Sequence, residues 1–203
     1  MKKISLSLST LALAVGLFFV GCTQPTNTPA ATTTTVASSV PSDATAIFDA
    51  YGLTALPSNF TAPSWGATTT LEDDSTYGKV LKIACSTEGA SYSYATITFS
   101  TPVNLSGKTL YAVVKGSGAK TTGSTNGLKL SVISDSTHSS ENTNYEPSDA
   151  SAYATKSAAI SDWWTTWSSD SSISAADFTA ITSLKIDLQT LASDLYIASI
   201  YYK

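Results

Sequence analysis

The sequence predicts an all-β domain, a two-sheet antiparallel β-sandwich, that follows an export signal and an unstructured tether. Short segments rich in β-branched and aromatic residues recur along residues 44–203, separated by Gly, Pro, Asn, Asp and Ser. In the clearest of these segments apolar and polar residues alternate, which is typical of antiparallel strands that bury one face. Ten short strands of this kind indicate two packed sheets.

The first 21 residues are predicted to be a secretory signal peptide. A charged start, Met1 to Lys3, leads into an apolar stretch that ends at Gly21, directly before Cys22. The segment Phe19-Val-Gly-Cys22 resembles the cleavage and lipidation box of bacterial lipoproteins, which implies cleavage before Cys22 and its acylation, with palmitate for example. The alternative is an ordinary signal peptide followed by an incidental cysteine.

This signal is not expected to span a membrane. Its best apolar run, Leu11 to Val20, falls short of the roughly 20 residues that a bilayer crossing needs. We therefore expect an exported bacterial lipoprotein of the cell envelope, attached to a membrane through lipid at Cys22 and facing the periplasm or the cell surface.

Residues 22–43 are predicted to form a disordered tether. Thr, Ser, Ala and Pro dominate this segment, and almost nothing in it is large enough to build a core. The remaining residues, 44–203, are numerous enough for one domain with a proper core.

The charge balance excludes one class of partner. All 11 basic residues are Lys, and removal of Lys2 and Lys3 with the signal leaves nine of them against 15 acidic residues, a net charge of −6. Nucleic-acid binding requires a basic face that releases counterions, so a nucleic-acid partner is not expected. The absence of Arg also disfavours recognition of sulfate or phosphate.

The predicted elements follow one another in a simple order. The strands are Thr45–Phe48, Gly66–Leu71, Lys79–Ala84, Tyr92–Ser100, Thr109–Lys115, Gly127–Ser134, Ala152–Ala159, Trp163–Ser168, Ser183–Gln189 and Tyr196–Tyr202. A single helical turn is predicted at Ser174–Phe178, capped by Ser174 with Asp177 reaching back.

A resemblance to a known family appears in the segment Pro102-Val-Asn-Leu-Ser-Gly-Lys-Thr-Leu-Tyr-Ala-Val-Val-Lys-Gly116. It is similar to a turn and central strand of galactose-binding-like, jelly-roll carbohydrate-binding modules. Ile47-Phe48-Asp49 is similar to the opening of such modules, and Leu195 to Tyr201 to their closing strand. The resemblance implies a jelly-roll sandwich that binds a glycan or polysaccharide.

The same resemblance bears on a metal. The closing strand of such modules usually carries Asp followed by Asn, and the Asp often helps to bind a structural calcium. This chain has Ala198 and Ser199 at those two positions. Asp49 would remain from the opening half of that site, but calcium needs six or more oxygen ligands. We therefore expect no cofactor, with a structural calcium as the alternative.

Aromatic residues mark the candidate binding site. Trp163, Trp164 and Trp167 lie within five positions, and alternation places Trp164 on the opposite strand face from the other two. Flat sugar faces stack on aromatic rings, with polar groups fixing the orientation. The alternative is that these rings fill the core. The candidate carbohydrate-binding residues, which also include outward-facing positions of two other strands, are Tyr92, Tyr94, Trp163, Trp164, Trp167, Lys185, Asp187 and Gln189.

No catalytic residue is predicted. The acidic residues Glu72 to Asp74, Glu141 and Glu146 lie in segments interpreted as solvated loops, and His138, in another loop-like stretch, has no evident Ser and Asp partners. No spacing of His and Cys indicates a metal site. The hypothesis is a non-catalytic carbohydrate-binding protein. A surface protein that binds a protein partner is the first alternative, and a small glycan-cleaving enzyme is the second.

Overall fold

The computed structural model describes residues 36–64, 66–85, 93–116, 128–166, 171–188 and 193–203. Its strands are β1 (Thr45–Asp49), β2 (Phe60–Thr61), β3 (Ala67–Asp74), β4 (Gly78–Cys85), β5 (Ser93–Val103), β6 (Thr109–Gly116), β7 (Leu128–Asp135), β8 (His138–Asn142), β9 (Asp149–Ala159), β10 (Trp164–Thr165), β11 (Ile181–Leu188) and β12 (Leu195–Tyr202). One 3₁₀ turn, η1, covers Ile160–Asp162.

The strands form two sheets, and every pairing is antiparallel. Sheet 1 has the order β3-β4-β12-β6-β9, and β1 pairs with the C-terminal half of β12. Sheet 2 has the order β10-β8-β7-β11-β5-β2. The predicted two-sheet antiparallel sandwich is therefore confirmed.

Apolar residues from both sheets form one core. Leu81, Ile83 and Leu110 from sheet 1 join Leu130 and Ile186 from sheet 2, and each of these side chains is at most 1% exposed. These positions alternate with polar ones along their strands, because successive side chains in a strand point to opposite faces. The hydrophobic pattern therefore sets which face of each sheet is buried.

The β3–β4 hairpin shows how local sequence fixes one of these strands. Asp74 lies opposite Gly78, and its Oδ1 accepts hydrogen bonds from the backbone N–H groups of Thr76 and Tyr77. Gly78 has φ of 74°, a left-handed conformation in which glycine avoids the strain of a Cβ. A three-residue loop with a glycine in this conformation beside it is a common hairpin connection.

Nine of the ten predicted strands are present in the described residues with ends shifted by up to three positions, and several other elements differ from the prediction. Strands β2 and β8 were missed, and β10 includes only Trp164–Thr165 within the described residues. No helical turn forms at Ser174–Phe178, because Ser174 makes a bridge to His138 and Asp177 accepts hydrogen bonds from Thr179. The turn η1 was not predicted.

The predicted domain boundary at Ala44 also needs correction. Ser38 donates a hydrogen bond of 2.5 Å from Oγ to Asp49, and the hydroxyls of Ser39 and Ser199 are 2.6 Å apart. Val40 packs on an apolar cluster that includes Tyr201. Residues 38–40 of the predicted tether therefore belong to the folded domain, while the signal, Cys22 and the tether up to residue 35 lie outside the described residues. Within the described ranges, no helix is long and apolar enough to cross a bilayer.

Candidate functional site

The outer face of sheet 2, opposite the core, brings together several of the predicted binding residues. In β11, Leu184 and Ile186 point into the core, so Lys185 and Asp187 point outward. In β5, the buried Ala95 and Ile97 leave Tyr94 on the outside. Asp187 pairs with Tyr94 in the register, so the two strands present these side chains side by side.

The strand register places polar residues in a continuous row across this outer face. Each member lies opposite the next, from β10 through β8, β7 and β11 to β5: Trp164, Glu141, Ser131, Lys185 and Thr96. Directly opposed side chains in antiparallel sheets come within contact distance. The row therefore lies on one face of the sheet, where Ser131 and Glu141 are only 2% and 4% exposed.

Two large aromatic side chains mark the two sides of this surface. Trp164 is 43% exposed and Tyr94 is 45% exposed. Their strands are separated by four steps of the sheet, which corresponds to about 19 Å. Exposed large aromatics separated in this way can each stack on a different ring of an extended ligand.

A charged cluster lies between the aromatics. Lys129 Nζ is 2.8 Å from Glu141 Oε2 and 3.4 Å from Asp187 Oδ2. Burial raises the pKa of Asp187, and the ammonium of Lys129 opposes that shift. Burial lowers the pKa of Lys129, but hydrogen bonds and charge interactions with the two carboxylates outweigh it and raise the pKa. The three side chains therefore form a fixed group of donors and acceptors.

Ser131 adds an unusual feature to this cluster. The residue is 2% exposed, and among the described residues its Oγ has no hydrogen-bond partner. A buried hydroxyl without a partner costs stability. Ser131 lies opposite both Glu141 and Lys185, in the middle of the polar row.

Lys185 contacts an aromatic ring instead of a carboxylate. Its Nζ lies 4.1 Å from the centre of the Tyr94 ring, a cation–π arrangement. Within the described part of the chain, no carboxylate lies at ion-pair distance from this ammonium.

The structure places the predicted site residues in three groups, and the third consists of Trp163 alone. Tyr94, Trp164, Lys185 and Asp187 share the outer face of sheet 2. Tyr92, Trp167, Gln189 and the predicted lipidation residue Cys22 lie outside the described residues, and their positions stay predictions.

Trp163 was wrongly included among the binding residues. It is 8% exposed and packs edge-to-face against Tyr145, with ring centres 5.9 Å apart. The chain leaves η1 at this point, and β10 begins only with Trp164. Trp163 therefore fills the core. For this ring, the alternative interpretation, in which the tryptophans are core residues, is the correct one.

Lys129, Ser131 and Glu141 were not among the predicted binding residues. Lys129 and Ser131 alternate with Leu128, Leu130 and Val132, which was sufficient to place them on the outer face of β7. Glu141 was wrongly assigned to a solvated loop, since it lies in strand β8 and is 4% exposed. The segment His138–Asn142 has no apolar residue, so alternation could not reveal it.

His138 was interpreted as isolated, and the structure corrects this. Its Nδ1 lies 2.8 Å from Asp135 Oδ1 at the tip of the β7–β8 hairpin. The hydroxyl of Thr137 lies 3.1 Å from this nitrogen and also donates a hydrogen bond to the same Asp135 oxygen. This arrangement stabilises the hairpin turn.

The residues around Asp49 do not fit a calcium ion. The two Asp49 oxygens accept hydrogen bonds from Ser38 Oγ and from the Tyr51 N–H. Across the strand pair from Asp49 lies Ser199, bonded to Ser39. In the described ranges no three His, Cys, Asp or Glu side chains group together as metal ligands would.

Comparison with known proteins identifies the fold. No protein-family model matches the sequence, and no curated protein matches it. Among solved structures, the chain is similar to the family 11 carbohydrate-binding module of the cellulosomal cellulase Lic26A-Cel5E of Clostridium thermocellum. The identity is 10% and the TM-score 0.59, over 80% of this chain and 95% of that one.

Two further structures share the fold. A family 11 module from Clostridium thermocellum, in complex with a β-1,3-1,4-mixed-linked tetrasaccharide, has 12% identity and a TM-score of 0.55 over 76% of this chain and 92% of its own. An exo-β-agarase has 15% identity and a TM-score of 0.55 over 78% of this chain. The chain spans only 25% of the agarase. At these identities the comparisons show a common fold.

Proposed function

We propose that the outer face of sheet 2 binds a glycan and leaves it chemically unchanged. The observation that carries this proposal is the placement of Tyr94 and Trp164, both exposed, on one face with the partly exposed Lys129, Asp187 and Lys185 between them. Sugar rings offer apolar faces and hydroxyl edges, and a site with aromatic platforms and a few fixed polar groups matches both.

The geometry favours an extended chain of several sugars that runs across the strands. The two aromatic platforms are on strands about 19 Å apart, which is more than one sugar ring can bridge. Among the described residues between the platforms, Lys129 and Lys185 balance the charges of Glu141 and Asp187. We therefore propose an uncharged polysaccharide as the ligand.

The shared fold supports this proposal and suggests the first ligands to test. One similar structure was solved with a β-1,3-1,4-mixed-linked tetrasaccharide, and another belongs to an exo-β-agarase. A mixed-linked β-glucan and an agar polysaccharide are therefore the first probes, followed by a broader glycan array.

Glycan cleavage and protein binding remain the competing functions. Glu141 and Asp187 are close enough to share one ammonium, Lys129. Because Lys129 holds both carboxylates in ion pairs, we propose that they fix the binding surface and do not act as an acid–base pair on a glycosidic bond. Release of reducing sugar from a bound polysaccharide would instead support an enzyme, and binding of no glycan at all would favour a protein partner.

We also propose that the domain is exported and attached to a membrane by lipid at Cys22. The signal-like start and the box at residues 19–22 support this proposal. Cys22→Ser should give a precursor that is neither cleaved nor labelled by a radioactive fatty acid. Normal cleavage and labelling of that variant would contradict the lipoprotein assignment.

Two adjacent tryptophans provide the matched test of the binding site. Trp164→Ala should weaken glycan binding about 30-fold, the effect of losing a binding hot spot, and leave the thermal midpoint nearly unchanged. Trp163→Ala should instead lower the free energy of unfolding by roughly 3–5 kcal/mol, because it opens a cavity in the core. Equal glycan binding by wild type and Trp164→Ala would place the site elsewhere.

A further inference from the structure

A pocket of about 260 Å³ opens beside the candidate glycan face, at the end formed by the β7–β8 hairpin. Side chains from β7, β8, β11 and the segment after β10 surround it. The residues that give it its chemistry are Ile133, Asp135, Ser139, Thr166, Ile173 and Lys185.

The pocket is continuous with the outer face of sheet 2. Ile133 follows Ser131 by two positions in β7, so both side chains lie on the same face. Lys185 belongs both to the polar row and to the lining of the pocket. A ligand that contacts Lys185 on the face is therefore at the mouth of the pocket.

The pocket lies to one side of the line between the two exposed aromatics. Trp164 is level with Ser131 in the register, and Tyr94 is level with Lys129, two residues further from the hairpin end. The pocket begins at Ile133, which lies two residues from Ser131 towards the hairpin end. This corresponds to a displacement of about 7 Å along the strands. A sugar in the pocket would thus project sideways from a chain that joins the aromatics.

The walls of the pocket combine apolar and hydrogen-bonding groups. Ile133 and Ile173 supply apolar surface, and the hydroxyls of Ser139 and Thr166 lie 2.5 Å apart. Asp135 is held by His138 and by the N–H and hydroxyl of Thr137. Its carboxylate and the ammonium of Lys185 provide one acceptor and one donor of opposite charge, a combination that suits the hydroxyls of an uncharged ring.

We propose that this pocket binds one uncharged sugar ring that branches from the chain on the outer face of sheet 2, so that the protein prefers a substituted polysaccharide to its unsubstituted backbone. This inference rests on the proposed glycan binding. It adds a specificity that the two aromatic platforms alone cannot supply, since they contact only the backbone of the ligand.

The test compares oligosaccharides with and without single-sugar branches, for example xylose-substituted and unsubstituted β-1,4-glucan, by calorimetry on the full mature chain. The exposed Ser136 lines the pocket mouth, so Ser136→Trp should fill it. Ser171→Trp is the matched control, because it puts the same side chain on an exposed residue outside the lining. Galactose-substituted and unsubstituted mannan provide a second pair of probes.

Wild type and Ser171→Trp should bind the branched ligand about tenfold more tightly than the plain one. Ser136→Trp should abolish this preference and retain the affinity for the plain ligand. If Ser136→Trp reduces the thermal midpoint, Ile173→Ala replaces it, and the loss of an apolar wall should reduce the preference several-fold.

The outcomes separate the two proposals. If wild type binds glycans and Trp164→Ala weakens that binding, but Ser136→Trp and Ile173→Ala leave the branched-to-plain ratio unchanged, the pocket inference is wrong and the proposed function stands. Equal affinity of wild type for both members of every pair also overturns the inference. If wild type binds no glycan of either kind, the proposed function itself fails.

Discussion

The ammonium of Lys185 lies 4.1 Å from the centre of the Tyr94 ring, on the neighbouring strand of sheet 2. This contact holds a donor beside an exposed aromatic platform. Glycan binding requires aromatic stacking and hydrogen bonding, and this contact places one group of each kind side by side.

Replacement of Tyr94 tests the contribution of that platform. Tyr94→Ala should weaken glycan binding about tenfold or more, whereas Tyr94→Phe, which keeps the ring, should change it little. Stability should hardly change, because the side chain is 45% exposed and an exposed cation–π contact contributes about 0.5–1 kcal/mol. Unaltered binding by Tyr94→Ala in calorimetry would remove this residue from the site.

Among the charged residues on the outer face of sheet 2, Lys129 should contribute most to the free energy of unfolding. Lys129→Met leaves Glu141 and Asp187 without their shared cation, and we expect a loss of roughly 3 kcal/mol, the lower end of the range for a broken buried pair. Lys185→Met is the control, since it removes a lysine of the same face that makes no ion pair within the described residues. Chemical denaturation measures both variants, and equal stability of the two would contradict this prediction.

The Lys129→Met variant should also depend on pH in a defined direction. Burial already raises the pKa of Asp187 above its unfolded value, and loss of the opposing ammonium raises it further. The folded state then binds protons more tightly, so the variant should recover stability as pH falls from 7 towards 4. The thermal midpoint of Lys129→Met is measured between pH 7 and pH 4. If it falls with pH as steeply as that of a variant changed at an unpaired surface residue, the result argues against a buried pair.

Asp74 should stabilise the hairpin of β3 and β4 only while it is charged. Burial raises its pKa, but hydrogen bonds from Thr76, Tyr77 and Tyr153 and the charge of Lys115 outweigh this effect and lower it below 3.8. Its contribution is therefore present above about pH 4 and is lost as pH falls through the lowered folded-state pKa.

Asp74→Asn tests this directly. At pH 7 the variant should be less stable by roughly 1.5–3 kcal/mol, the range for hydrogen bonds to a charged group. The difference from wild type should shrink below pH 4. Asp73→Asn is the control, because that side chain is 88% exposed and its removal should have little effect.

Two N-terminal deletions should separate the tether from the domain. Removal of residues 24–35 should leave the thermal midpoint unchanged. Removal of residues 24–40 should lower it by about 5–10 °C, because the contacts of Ser38, Ser39 and Val40 with the sandwich are lost. Similar midpoints for both deletions would show that residues 38–40 contribute nothing to folding.

The alternation of residues was sufficient to predict the outward side of two strands, β5 and β11. Leu184, Ile186 and Ala95 are buried as their pattern required, and Lys185, Asp187 and Tyr94 are consequently outside. A one-residue shift would bury charges, so the pattern strongly determines which face is buried. This much of the candidate site follows from local sequence.

The adjacent tryptophans show where that reasoning fails. Alternation correctly separated Trp163 from Trp164, but it could not decide which of them faces the core. That depends on η1, which turns the chain immediately before Trp163, and on Tyr145, which packs against its ring. Neither is visible in the sequence of the cluster itself.

The sequence by itself determined an all-β sandwich and the outward residues of β5 and β11, because hydrophobic burial acts residue by residue with the period of a strand. Only the tertiary structure decided that Trp164 and Tyr94 share one sheet and that Lys129 joins Glu141 to Asp187. It also showed that Ser38 and Ser39 close the domain. These contacts depend on strand order and register, which join distant segments, and no local pattern of side chains specifies those pairings.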